Sequence, residues 1–146
     1  MTEALDLRIL LVEDDDVAAE AVTRGLRRCG ITAPVIWAED GEAALRVLRG
    51  ADPERRVPRP RVVLLDLNMP RMDGRETLAA IKTDEGLKSI PVVILTTSGA
   101  TPDIVSSYQH RANAYVTKPF GLDEFEKTVR TIDRFYREVA LLPPTD

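Results

Sequence analysis

The stretch Arg61-Val62-Val63-Leu64-Leu65-Asp66 decides the fold. A strand half-exposed to water alternates apolar and polar residues, whereas this run of consecutive apolar side chains reads as a strand buried on both faces. Its apolar character stops at Asp66. A second run of the same kind, Arg8-Ile9-Leu10-Leu11-Val12, ends as abruptly in Glu13, Asp14, Asp15 and Asp16. A carboxylate at the mouth of an apolar strand is costly unless something compensates it. Two such strands side by side gather several negative charges, and a like-charge pair at about 4 Å costs about 4 kcal/mol at an effective dielectric near 20. A divalent cation removes that cost, so the pattern predicts a metal-dependent acidic pocket.

Outward from these two runs, strand-like and helix-like segments alternate. Strands are expected over 7–12, 34–37, 61–66, 91–96 and 113–117, and helices over 16–29, 41–49, 74–83, 102–110 and 121–139. Regular alternation predicts an α/β fold, a parallel sheet with helices on both faces. Asp73 with Glu76 makes a capping box, Asp40 caps the helix that follows it, and Thr101-Pro102-Asp103 reads as an N-cap, a first-turn proline and an acid. Asp15 and Asp16 suit the start of the first helix, where acids meet the positive end of the dipole. The prolines between Gly50 and Pro60 mark a loop. In the last helix Leu122, Phe125, Val129, Ile132, Tyr136 and Val139 form a stripe at helical spacing, expected to face the core. Phe135, Leu141 and Leu142 fall off it and suggest a docking surface, through which a homodimer is expected.

The 146 residues form one expected domain, with a core over about 7–139 and a short tail over 140–146. With 44% hydrophobic and 30% charged residues the composition is that of an ordinary globular protein. Twenty basic against 24 acidic side chains leave a net charge of −4, which disfavours free-standing nucleic-acid binding. The Arg-rich stretch Arg55 to Arg61 reads as a solvated loop. A lone cysteine, Cys29, forms no internal disulfide and is expected as a small buried side chain, and no apolar run is long enough for a membrane helix. A cytoplasmic protein is expected. No DNA-binding or enzymatic domain is expected after residue 146, so action by binding is expected.

In an open parallel sheet, ligands sit beyond the carboxyl ends of the strands. The residues there are Glu13, Asp14, Asp66, Thr96 and Lys118, and together they suit phosphoryl transfer. Asp66 is the candidate nucleophile, since a carboxylate takes a phosphoryl group as an acyl phosphate. Glu13 and Asp14 suit Mg2+, which prefers oxygen ligands. A hydroxyl from Thr96 and an ammonium from Lys118 suit phosphate oxygens. Thr97 and Ser98 compete with Thr96 for the hydroxyl role on register alone. His110 is expected at the surface and Trp37 in packing.

These motifs resemble the receiver domains of two-component response regulators, the CheY-like family. The likeness covers about residues 7–139 and rests on Val12-Glu13-Asp14, Leu64-Leu65-Asp66-Leu67-Asn68-Met69-Pro70, Met72-Asp73-Gly74, Pro91 to Thr96, and Lys118-Pro119-Phe120. It implies a doubly wound five-stranded sheet in the order 2-1-3-4-5. It implies that Asp66 is the phosphoacceptor of a sensor histidine kinase, with Mg2+ (or Mn2+ in its place) held by Asp14 directly, by Glu13 through water, by Asp66 and by the main-chain carbonyl of Asn68. Thr96 and Tyr115 become a switch pair, and Lys118 the phosphate partner. It implies a cis Lys118–Pro119 bond, and signalling through the face of the fourth helix, fifth strand and fifth helix rather than turnover as an enzyme. Glu13 stands where many relatives carry Asp. The details around Asn68, Thr96 and Tyr115 resemble the small regulators that partner bacterial phytochrome kinases.

Two rival chemistries use similar parts. A dehalogenase-type phosphatase needs a second aspartate two positions past the nucleophile as general acid, where this chain has Asn68. A flavin module of the same sheet order wants a Ser/Thr/Gly-rich phosphate loop after the first strand, where this chain has four acids.

Overall fold

The computed structural model describes residues 8–28, 35–51, 59–69 and 72–143. Along it run β1 (Ile9–Val12), α1 (Asp16–Arg28), β2 (Val35–Ala38), α2 (Gly41–Leu48), β3 (Val62–Leu65), α3 (Gly74–Thr83), β4 (Val92–Thr96), α4 (Thr101–Gln109), β5 (Ala114–Thr117) and α5 (Leu122–Arg134), which continues into a π-helical turn (Phe135–Val139). The strands pair in parallel in the order β2-β1-β3-β4-β5, as the alternation and the resemblance imply. Cys29, the stretch Arg55 to Pro58, and Pro70 lie outside the described residues.

β1, β3 and β4 are buried along their whole length, which explains their unbroken apolar runs. Successive side chains leave a strand on opposite faces, and the core divides accordingly. Leu10, Val12, Val63, Leu65, Val92 and Ile94 pack with Leu45 and Leu48 of α2 and Leu78 and Ile81 of α3. Ile9, Leu11, Val62, Leu64, Val93 and Leu95 pack on the other face with Val22 and Leu26 of α1 and Phe125 and Val129 of α5. The register places Val12 opposite Leu65, so Glu13 and Asp66 emerge at the same level from neighbouring strands. β1 has β2 on one side and β3 on the other, and the crevice where strand order reverses opens above it.

Capping chemistry fixes two helix starts as expected. Asp40 accepts the Ala43 N–H at 2.8 Å, and Asp73 with Glu76 forms a reciprocal capping box. That box sits against the acidic end of β3: a Cβ on Gly74 would lie 2.1 Å from the Asp66 carbonyl oxygen, and the Gly74 N–H donates to Leu67 O at 2.9 Å. Only a residue without a side chain lets α3 begin so close to the main chain of Asp66.

Two expectations are corrected. The N-cap of α4 is Ala100, without a side-chain cap, and Thr101 is the first helical residue. The stripe on α5 is core-facing only in its middle: Phe125 and Val129 are buried and Ile132 and Tyr136 pack against the core, whereas Leu122 is 50% exposed and Val139 66%. Leu122 opens the helix, and the π-turn adds a residue per turn and rotates Val139 away from the stripe. The periodicity also hid two buried acids. Glu126 accepts Arg28 Nη1 at 2.8 Å with Arg24 Nη1 at 3.6 Å across the α1–α5 contact, and Asp133 binds Arg137 through both oxygens at 2.8 and 3.1 Å.

Candidate functional site

Four strand ends build the site. The Asp66 N–H donates to Val12 O at 3.0 Å and the Glu13 N–H to Ala38 O at 3.0 Å, so sheet pairing itself sets the heights of both acids. Trp37 adds a constraint on Glu13: its indole Nε1–H donates to the Glu13 carbonyl at 2.6 Å. Trp37, expected only to pack, therefore also positions an acid. Nothing in its type signals this, because it follows from the pairing of Leu11 with Trp37 in β2.

Glu13, Asp14 and Asp66 each offer a carboxylate oxygen, and these three oxygens lie within 4.8 Å of one another. Glu13 is 2% and Asp66 7% exposed, while Asp14 is open to solvent. Lys118 crosses from the end of β5 and bonds Glu13 Oε1 through Nζ, with Asp66 Oδ2 at 3.4 Å. One ammonium against three carboxylates leaves an excess of negative charge that a hard divalent cation fits, and oxygen donors are the ligands it favours. Asp15, as expected, serves the helix start, its Oδ1 accepting the Val17 N–H at 2.9 Å.

Burial shapes the protonation of the pair. It pushes the Glu13 carboxyl up to about 7, against the attraction of Lys118 and with the repulsion of Asp66 adding to it. Burial pulls Lys118 down, but its bonds and charge interactions with Glu13 and Asp66 outweigh that and hold the ammonium above the ordinary lysine value.

Thr96 is fully buried, and its Oγ1 finds no hydrogen-bond partner among the described residues. A buried hydroxyl without a partner is costly, and at the acidic end of the sheet it suits an incoming phosphate oxygen. Its rivals are otherwise placed, Thr97 exposed and Ser98 bonded through Oγ to Asp103 at 2.6 Å. Tyr115 is half-buried on β5 and its hydroxyl donates to Ser98 O at 2.8 Å. Asn68 is exposed, and its N–H reaches Asp66 Oδ1 at 3.4 Å. His110 is exposed, its ring against Ser106 O at 2.8 Å.

The expected cis Lys118–Pro119 bond is corrected: the bond is trans. Trans is the lower-energy isomer for X–Pro by about 0.5–1 kcal/mol. The reach of Lys118 is secured here by other means, its N–H donating to Thr96 O at 2.7 Å and its Nζ still meeting both acids.

Residues 9–130 match the sequence profile of the response regulator receiver domain. The chain belongs to that family. This receiver is 42% identical over 135 residues to the response regulator Rcp1 of Synechocystis, covering 92% of each chain. The crystal structure of the phosphorylated cyanobacterial phytochrome response regulator RcpA superposes with a TM-score of 0.89 at 38% identity, over 94% of this chain and 99% of that one. The Mn(2+)-bound form of Rcp1 superposes at 0.86 with 41% identity, over 94% and 99%. The chain is thus a receiver-domain response regulator, and the family's phosphoryl-accepting role and divalent-metal binding fit its acidic end. Among the described residues no helix is long and apolar enough to cross a membrane.

The raised Glu13 carboxyl would make binding of a cation among these acids depend on pH. Such a cation would favour the carboxylate form of Glu13, so its binding would compete with the Glu13 proton at pH values below about 7. Without a cation, a folded-state pKa raised above the ordinary 4.5 contributes stability at low pH that is lost as pH rises through about 7. Saturating Mn2+ should therefore raise the melting temperature more at about pH 8 than at about pH 6. Differential scanning calorimetry at the two pH values checks this; a larger rise on the acidic side would contradict it.

Proposed function

We propose that this receiver is a phosphorylation-controlled switch in which Asp66 accepts a phosphoryl group from the phosphohistidine of a sensor kinase. One observation carries the reading: a buried aspartate at the end of β3 stands among two more carboxylates and one lysine, with a buried hydroxyl on the next strand that has no partner among the described residues. An Asp66 carboxylate oxygen attacks phosphorus, the P–N bond to the imidazole breaks, and the imidazole leaves with the bonding electrons and takes up a proton. The product is an acyl phosphate, and attack of water on its phosphorus returns the carboxylate and inorganic phosphate. Lys118 offers its ammonium to a phosphoryl oxygen, and Thr96 its hydroxyl to another. Glu13, Asp14, Asp66 and the Asn68 carbonyl are the residues for Mg2+, or Mn2+ in its place. When bound, that cation neutralises the charge gathered between phosphate and carboxylates.

On this reading the chain promotes its own phosphorylation and dephosphorylation and turns over no other substrate. It works in the cytoplasm, and this receiver domain neither binds nucleic acid nor enters a membrane. Its output is a rearrangement of Thr96 and Tyr115 that alters the α4-β5-α5 face. The likeness to RcpA favours a phytochrome-type kinase as donor. Of the expected Phe135, Leu141 and Leu142, the first two are exposed while Leu142 packs against the core; with Val139, also exposed, Phe135 and Leu141 supply the apolar contact for a homodimer.

Incubation with acetyl phosphate and Mg2+, followed by peptide mass spectrometry, should place one phosphoryl group on Asp66. Asp66→Asn should leave less than about a tenth of the wild-type modification. No modification of the wild-type chain, or modification at another residue, would refute the assignment. For the dimer, light scattering should show wild-type dimers and monomeric Phe135→Glu; a monomeric wild type ends that part.

A further inference from the structure

Ser98 lies two residues past Thr96, in the segment joining β4 to α4. It is bonded in two directions. Its carbonyl accepts the Tyr115 hydroxyl at 2.8 Å, and its Oγ donates to Asp103 Oδ2 at 2.6 Å while accepting the Ala100 N–H at 3.3 Å. Asp103 stands in the first turn of α4, where a carboxylate suits the positive end of the helix. Its other oxygen takes Arg75 Nη2 of α3 at 2.8 Å. Arg75 in turn has Nη1 3.8 Å from Asp73, the N-cap of its own helix. A chain of polar contacts thus links β5, the β4–α4 segment, α4 and α3.

The charges respond to the contact. Ser98 and Arg75 together hold the Asp103 carboxyl below its ordinary range, and Asp103 raises the Arg75 guanidinium. As a surface ion pair this would contribute little to stability. Its position makes it matter for another reason. α4 has no side-chain cap at Ala100 and buries only Ser107 of its own residues, so few other contacts decide where its first turn lies. A shift of the segment after Thr96 is then either transmitted to α4 through Ser98 and Asp103 or absorbed in the connection.

We infer that Ser98, Asp103 and Arg75 are positioning residues, a latch that makes the start of α4 follow the segment after Thr96. The inference rests on the phosphoacceptor reading of Asp66 and adds the route by which phosphorylation reaches α4. Among the described residues none of the three bonds the Asp66 carboxylate, whose partners are the Asn68 N–H and Lys118, so the latch governs transmission and leaves the chemistry alone.

The test compares the full-length wild type with Arg75→Ala, Asp103→Asn and Arg75→Lys. Each is treated with acetyl phosphate and Mg2+ while mass spectrometry follows modification and amide NMR follows residues 104–109. Modification rates of all four should agree within about threefold, since losing a part-exposed ion pair perturbs an equilibrium by no more than a small factor. The phosphorylation-dependent amide shifts on α4 should fall to about half or less in Arg75→Ala and Asp103→Asn. Arg75→Lys, which keeps the charge, should recover most of them. A wild type that takes no phosphoryl group sinks the reading of Asp66 and the latch with it. A modified wild type whose α4 response persists undiminished in both disrupted variants sinks the latch alone. So does a loss of response matched by an equal loss of modification rate, because that marks general disruption rather than broken transmission.

Discussion

The bond between Lys118 and the buried Glu13, with Asp66 beside it, is the constraint on which the site depends. Two carboxylates at the ends of adjacent buried strands repel each other in a medium that screens poorly. The lysine crosses from the end of β5 to offset part of that repulsion, and a single positive charge cannot balance three acids. The imbalance leaves an excess of negative charge that suits a small hard cation. Burial, which lifts the Glu13 carboxyl to about 7, opposes its ionisation, and Lys118 favours it.

The parallel sheet places these groups without further machinery. Because β1 and β3 pair with Val12 opposite Leu65, the next residue on each strand is an acid at the same height. β4 and β5 follow in register, with Thr96 opposite Thr117, which sets the hydroxyl at the end of one strand and Lys118 just past the end of the other. Gly74 lets α3 start against the main chain of Asp66, closing the back of the site with backbone rather than side chain. A single fold decision, the strand order, thereby brings together residues from four separate parts of the chain.

The buried strands and the acids at their ends were legible in the sequence itself, whereas the strand order came with the family resemblance. Fully buried parallel strands leave unbroken apolar runs, so β1, β3 and β4 announced themselves, and the acids that ended them stood out against that background. Asp73 and Glu76 gave away the start of α3 because a capping box is a local pattern. What stayed hidden depends on partners far apart in the chain. Nothing near Trp37 shows that its indole holds the Glu13 carbonyl, and nothing near Glu126 shows the two arginines of α1 that let a carboxylate be buried on α5. Val139 was misjudged because a helical stripe assumes a constant 3.6-residue turn, which the π-turn at Phe135–Val139 breaks. The Lys118–Pro119 bond was misjudged because the family likeness carried an isomer that this chain does not adopt.

Signalling, on this account, begins in electrostatics and ends in packing. In the proposed switch, added charge at Asp66 would meet Lys118 and the Thr96 hydroxyl, which has no partner among the described residues, and the segment beyond Thr96 would carry the change toward Tyr115 and α4. All of it presupposes that the three carboxylates converge on one cation. Anomalous diffraction from crystals grown with Mn2+ tests that most directly. The account predicts one strong peak bonded to Asp14 and Asp66, with Glu13 close by and Lys118 turned toward the remaining carboxylate oxygens. Diffraction that placed no manganese between these acids, at a concentration that saturates the protein in solution, would contradict it.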